Sequence, residues 1–415
     1  MDNVTQSVRA MYEQFPYPAG GMEIRAAADA RLALSYVERA KPRQGPIRVL
    51  DAGCGRGLGA LGAALTQPGV QFLGVDINRV ALAEAAKTAQ QLGLANVRFQ
   101  ECNLMTLEGL EPPEGGFDLI YSLGVVHHMA DPLTGLRNLR GLLAPHGAIV
   151  FMVYAAMGRM SLMRVATAIR LLFPGGEPLS GRLDLARAMA KAASEGCLRG
   201  TFWQDTWRNN DVEFVDRLLN VNETQYDVGA LWKLLGEAGL RFVRWIEPAE
   251  WAVDAVFPPG PLRDRIASLS PLEQFQIIEL AFERNSLELI MARDDAAPRP
   301  ALTPAQLAQA TLCVNPDVVI IAERRNLHGS QRIESIAYKL RHAAPVSLPA
   351  GPLATALLAV ENQNAPFTGI EWAQAMRQRG LTTEQALATL VELVRREVLF
   401  APHAEDAPGG NGGLG

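Results

Sequence analysis

Four glycines alternate through the stretch VLDAGCGRGLGA, at Gly53, Gly55, Gly57 and Gly59. A loop with so few Cβ atoms lets the backbone come close to a ligand. Gly55, Gly57 and Ala60 also satisfy the GxGxx(G/A) dinucleotide fingerprint formally, and a tight turn with no ligand is a further reading. Three polar residues bear on the choice. Asp51 stands just before the first glycine, where a carboxylate suits a ligand carrying positive charge and would repel a pyrophosphate. Asp76 ends the apolar run FLGVD, where an acidic side chain can accept from both hydroxyls of a ribose. Asn103, in CNLM, is placed to read an adenine edge with its amide.

The surrounding sequence supplies elements that could hold these residues in one place. IRVLD, QFLGVD, VRFQE, FDLIYS and GAIVFMVY are short apolar runs that read as strands. Between them, ALGAALTQPG, NRVALAEAAKTAQQLG and DPLTGLRNLRGLLAPHG read as helices. Such alternation implies βαβ units on a parallel sheet, and right-handed crossovers make it doubly wound. The glycine loop, Asp76 and Asn103 then fall at the carboxyl ends of the first three strands, where open α/β sheets bind ligands. The alternation stops after Tyr154. Residues 156–225 read as a helical insertion, after which the helix DVGALWKLLGEAGL and the strands RFVRWIE and LELIMAR resume it. Residues 249–286 form a smaller insertion. DDAAPRPALTPAQ reads as a linker to a C-terminal domain of short helices with a winged-helix-like order. The expected fold is therefore α/β, a Rossmann-like doubly wound sheet with a helical insertion and a small, mainly α C-terminal domain. The expected boundaries are 1–45 for an N-terminal arm and helix over the active site, 46–295 for the sheet domain, and 296–415 for the C-terminal domain, whose Gly-rich tail is expected to be disordered.

Composition narrows the function. At roughly 100–200 residues per domain, 415 residues suggest two or three. A net charge of −5 argues against a general nucleic-acid binder, which needs a basic face. From Arg299 onward ten Arg and Lys balance ten Asp and Glu, so the C-terminal domain is read as a protein-contact or homodimerisation module. The locally basic AERRNLHGSQR within it is read as a solvated loop. The four cysteines make no CxxC pair, so neither a disulfide framework nor a metal site is expected, and a reducing, cytoplasmic setting fits. The first residues lack an apolar signal region, and no apolar run is long enough to span a membrane.

The motifs VLDAGCGRG, FLGVDIN, VRFQECNLM, FDLIYSLGVVHHMADP and LRNLRGLLAPHGAIVFMVY, in this order, resemble those of the class I S-adenosylmethionine-dependent methyltransferases. The resemblance covers about 47–155, and more weakly extends to 293. It implies S-adenosyl-L-methionine as cofactor and S-adenosyl-L-homocysteine as product. By resemblance, Asp51, Gly53 and Gly55 would line its methionine and ribose portions, and Asp76 would hold the ribose hydroxyls. Ile77 and Leu104 would sandwich the adenine, Asn103 would meet its amino group, and Ser122 and Gly124 would lie beside the cofactor.

Methyl transfer then needs an acceptor and, for some acceptors, a base. His127 and His128 are candidates because imidazole titrates near neutrality. His127 is taken as the substrate-facing one, against a structural reading in which one of the pair bonds loop backbone. MYEQFPYPAGG, at Met11–Gly21, shows no helical or strand period. It resembles arms that fold over the cofactor in bacterial members, with Tyr12 and Tyr17 offering hydroxyls, or else it is an aromatic latch on the sheet edge. In the insertion, Trp203, Trp207 and Tyr226 with Asp205, Asp211 and Glu213 would suit an amine-bearing acceptor, or form the core of a helical cap. Trp232 has helical spacing with Leu231 and Leu235 and is read as core. The layout also resembles bacterial protein-lysine methyltransferases in architecture. The expected acceptor is a peptide or protein side chain, with a small metabolite as the alternative. A non-catalytic S-adenosylmethionine-binding regulator and a nicotinamide-dependent oxidoreductase are the other readings, the latter disfavoured by Asp51.

Overall fold

The computed structural model describes residues 2–19, 24, 29–39, 41–174, 177–194, 196, 209–327, 330–340, 344–363 and 365–407. The chain divides into two compact units, one of residues 1–27, 48–246 and 251–295, the other of residues 28–47, 247–250 and 296–415. The expected N-terminal segment 1–45 is thus divided between them. Residues 28–45, expected over the active site, group with the C-terminal unit; nothing local in their sequence announces that.

The first unit is built on strands β1 (Ile47–Ala52), β2 (Val70–Asp76), β3 (Val97–Glu101), β4 (Phe117–Leu123), β5 (Leu143–Tyr154), β6 (Leu240–Trp245) and β7 (Ser286–Arg293). Their order in the sheet is β3-β2-β1-β4-β5-β7-β6. β3 pairs with β2, β1 with β4 and β4 with β5 in parallel, while β7 runs antiparallel to both β5 and β6. β4 is buried from Phe117 through Ser122, as a central strand covered on both faces should be.

Helices α1 (Asn3–Gln14), α2 (Ala30–Leu34), α3 (Leu58–Thr66), α4 (Arg79–Gln91) and α5 (Pro132–Leu142) come next in the count, with α2 belonging to the second unit. The caps are local in sequence. Asn78 accepts from the N–H groups of Val80 and Ala81 to open α4, and Asp131 accepts from Leu133 and Thr134 to open α5 with Pro132 at its first position. The insertion folds as α6 (Ala156–Leu172), α7 (Leu179–Ser194) and α8 (Asp211–Leu218), which share an apolar cluster of Leu162, Val165, Ile169, Phe214 and Val215 that also takes in Met11. Trp203, Trp207 and Asp205 lie outside the described residues. After α9 (Val228–Glu237), Trp232 packs on Phe242 with ring centroids 4.7 Å apart, a core position as its spacing predicts.

One sequence expectation fails here. Residues 11–14 are not irregular: they close α1, whose buried Thr5, Val8 and Met11 recur every three residues and whose N-cap is Asp2. The period is visible once the window opens at Asn3 and is hidden when it opens at Met11.

The second unit combines helices with two small sheets, so it holds more β structure than its sequence predicts. One sheet has the order Phe367–Thr368, Thr311–Val314, Leu399–Phe400; the other runs Val346–Leu348, Ser330–Leu340, Val318–Leu327. Residues 322–327 and 330–332 of the basic stretch, expected as a solvated loop, lie on the two long arms of the second sheet. The β-branched run Val318–Ile321 before it starts the first arm. Arg324 pairs with Glu361 and Arg325 with Glu334, so the charges sit on paired strands. Within this unit, Arg39 contacts Glu405 at 2.7 Å and Asp406 at 3.0 Å, which fastens residues 404–407. The Gly-rich tail lies outside the described residues.

Candidate active site

A cavity of about 340 Å³ opens at the carboxyl ends of β1, β2, β3 and β4, where the sheet topology places ligands. Its first wall is the glycine loop. Gly53 and Cys54 donate to the Val75 carbonyl at 2.8 and 2.9 Å, which folds the loop back onto β2. Gly53 has φ +83° and its Cβ would fall 2.4 Å from Val125. Gly55 has φ +52° and its Cβ would fall 2.9 Å from the Tyr17 carbonyl oxygen. Both therefore need the left-handed backbone and the missing side chain together.

Asp76 fixes that loop against β2. Its Oδ2 accepts from the Gly55 N–H at 2.7 Å and its Oδ1 from the Asn78 N–H at 2.8 Å. Burial nevertheless pushes its carboxyl up from the ordinary carboxylate range. Ile77, Asn103, Leu104 and Gly124 also line the cavity. The Asn103 Oδ1 accepts from the Met105 N–H at 2.9 Å, so the side chain closes its own turn as well as facing the cavity.

Three residues expected at the site do not line it. Asp51 is not among the lining residues; its Oδ2 lies 3.9 Å from where a Gly59 Cβ would be. Ser122 is fully buried in β4 and does not line the cavity, and among the described residues its Oγ has no partner. His127 is fully buried, and among the described residues neither ring nitrogen has a partner. It lies 4.1 Å, ring to ring, from both His128 and Tyr154, and burial pushes its pKa well down. The expectation that His127 faces the substrate is therefore corrected: His128 lines the cavity, with its Nδ1 held by the Asn222 carbonyl at 2.8 Å.

The second wall comes from residues far apart in sequence. Tyr12 on α1 donates its hydroxyl to Asp216 Oδ1 at 2.8 Å, and Tyr154 at the end of β5 donates to Oδ2 at 3.3 Å. Tyr12, Tyr17, His128, Met152, Tyr154 and Asp216 all line the cavity. Burial, then Asp216, push the Tyr12 hydroxyl pKa well up, so it stays a donor at neutral pH. The arm closes over this space: Asn78 Nδ2 donates to the Tyr12 carbonyl at 2.8 Å, and Arg56 donates to the Pro18 carbonyl at 3.3 Å. Behind Tyr154, the buried Arg159 guanidinium sits 3.5 Å from its ring centroid and pairs with Glu223 at 3.2 Å.

Sequence reasoning missed Asp216 and chose its neighbours. Asp211 pairs with Arg187 and Glu213 with Arg217, and neither lines the cavity. The signal for Asp216 is its place in NDVEFVDRLL: with Val212, Val215 and Leu219 it falls on the apolar stripe of α8, an odd position for a carboxylate.

Asp51 carries a pH prediction. Burial, and then the neighbouring Asp76, raise its pKa from 3.8 to about 7; burial raises Glu279 to about 7 as well. A carboxyl raised in the fold stabilises it fully below the unfolded pKa, and that stability is lost as pH rises through the folded value. The thermal midpoint of the ligand-free protein should therefore fall from about pH 5 to about pH 8. Asp51→Asn should flatten that fall; an equal slope in the variant would remove Asp51 as its cause.

The donor set fits S-adenosylmethionine. A Cβ-free cradle, a carboxylate at the second strand end and apolar Ile77 and Leu104 beside it match a sulfonium nucleoside with a ribose. Residues 45–206 match a family model described as a methyltransferase domain. An uncharacterized protein of Synechococcus sp., syc1184_c, is 30% identical over 292 residues, which are 67% of this chain and 69% of that protein. Ubiquinone biosynthesis O-methyltransferase of Ralstonia nicotianae is 29% identical over 137 residues, 33% of this chain; the chain spans 55% of that enzyme's length. In fold, the chain resembles PKMT2 from Rickettsia typhi, with a TM-score of 0.65 at 16% identity over 90% of this chain and 74% of that one. That protein's complex with AdoHcy gives 0.62 over 95% of this chain and 75% of that one. The chain belongs to the class I S-adenosylmethionine-dependent methyltransferases.

Proposed function

We propose that the cavity holds S-adenosylmethionine along Gly53, Gly55, Asp76, Ile77, Asn103, Leu104 and Gly124 and takes, against its second wall, a nitrogen or oxygen nucleophile on a peptide or protein side chain. The bound cofactor supplies an activated methyl group, transferred in line with release of a neutral thioether. The chain's residues supply orientation and dryness. Each Asp76 oxygen accepts one backbone N–H and keeps lone pairs free for the ribose hydroxyls. Tyr12, Tyr17 and Pro18 exclude water from above.

The observation that carries this reading is the two-walled cavity: one wall suits the cofactor, and the other brings polar groups to the same space from α1, β5 and the insertion. A peptide acceptor is favoured because the insertion helices border the cavity through Asp216. A small acceptor is the second reading, favoured by the match to an O-methyltransferase over the cofactor-binding region. Transfer of label from methyl-tritiated S-adenosylmethionine to a peptide mixture, against a small-metabolite extract, separates the two; label in the metabolites alone would reverse the preference. Tyr17→Phe should lower turnover about tenfold and leave cofactor affinity within about twofold. A loss of affinity with unchanged turnover at saturation would make Tyr17 a cofactor latch.

A further inference from the structure

Asp216 is 3% exposed and faces the cavity, yet among the described residues it forms no ion pair. Buried carboxylates are ordinarily matched by a cation, because desolvating a lone charge costs several kcal/mol. Arg217, its neighbour in sequence, pairs with Glu213, and the buried Arg159 pairs with Glu223. What Asp216 does receive is two tyrosine hydroxyls, from Tyr12 and Tyr154. Asn220 Nδ2 donates to the Tyr12 oxygen at 3.2 Å, which commits the Tyr12 proton to Asp216. Those donors fix the carboxylate in position and, among the described residues, bring it no positive charge.

The walls around it are aromatic. The His128 ring lies 6.3 Å from that of Tyr12 and 5.9 Å from that of Tyr154. A carboxylate among aromatic faces attracts an ammonium by charge and by cation–π contact, and offers an alcohol only an acceptor. Tyr12 also joins the two walls, since its carbonyl accepts from Asn78, two residues beyond Asp76.

We propose that Asp216 is the acceptor-binding carboxylate and that the acceptor is a protonated aliphatic amine. The inference rests on the two-walled reading given under Proposed function. The ammonium first gives up one proton, which Asp216, in contact with it, takes and passes to solvent. The nitrogen lone pair so freed then forms the N–C bond, the C–S bond breaks and its electron pair stays on sulfur.

The test is calorimetric, on the full chain saturated with S-adenosylhomocysteine. Nα-acetyl-lysine methylamide is titrated against its 6-hydroxynorleucine isostere, which replaces the ammonium with a hydroxyl. The amine should bind at least about tenfold more tightly. Asp216→Asn should abolish that preference and leave S-adenosylmethionine affinity within about twofold. Equal affinity for the two probes, or no binding of the amine, overturns the proposal and leaves the cofactor reading intact; this wild-type comparison needs no variant. A tenfold loss of S-adenosylmethionine affinity in Asp216→Asn would place the carboxylate on the cofactor and overturn it as well. Failure of the wild type to bind either sulfur ligand would sink both readings.

Discussion

Asp76→Ala is expected to weaken S-adenosylmethionine binding by about 3 kcal/mol, roughly a hundredfold. Two effects add. The ribose loses its carboxylate acceptor, and charged hydrogen bonds of this kind are worth about 1.5–3 kcal/mol. The glycine loop also loses its anchor, because Asp76 alone receives the Gly55 and Asn78 N–H groups at 2.7 and 2.8 Å. Asn78 in turn caps α4 and holds the Tyr12 carbonyl, so the loss reaches the arm. Asp76→Asn should cost less, since its one amide oxygen can still accept. An affinity within about twofold of wild type for the alanine variant would contradict the placement of the cofactor along β2.

The second large effect concerns stability. Arg159→Leu leaves Glu223 buried without its cation, and breaking such a pair costs about 3–5 kcal/mol. Both side chains are 2% exposed, and Arg159 Nη2 lies 3.2 Å from each Glu223 oxygen. Among the described residues, only Gln225, donating at 2.8 Å, would remain on the carboxylate. The denaturation midpoint should fall sharply, and Tyr154 should lose the guanidinium beneath its ring. Replacing Glu223 with Leu in the same chain should recover much of the loss, because an apolar pair no longer strands a charge. A double variant no more stable than the single would contradict the pairing as the source.

Much of this machinery is legible in sequence because its signals are local. The glycine loop, Asp76 and the caps at Asn78 and Asp131 each fall within a few residues of the strand or helix they serve. Strand and helix periods then place them at one end of one sheet. The acceptor wall is different. Tyr12, Tyr154 and Asp216 are separated by more than sixty residues at each step, and only packing brings them together. Asp216 is legible as an acid on an apolar stripe, whereas the insertion's aromatics point the sequence reading to Asp205, Asp211 and Glu213 instead. The adjacent histidines show the same limit: composition nominates both, and only the turn after β4 decides that His127 goes inward and His128 to the cavity. In the C-terminal unit, alternating apolar residues at Val319 and Ile321 marked a strand that the nearby arginines obscured.

The most direct measurement is calorimetric titration of the full chain with S-adenosylmethionine and S-adenosylhomocysteine, with NADH as control. Micromolar affinity for both sulfur ligands and none for NADH is expected of a cavity built on Gly53, Gly55 and Asp76. Tight binding of NADH with no response to either sulfur ligand would contradict it.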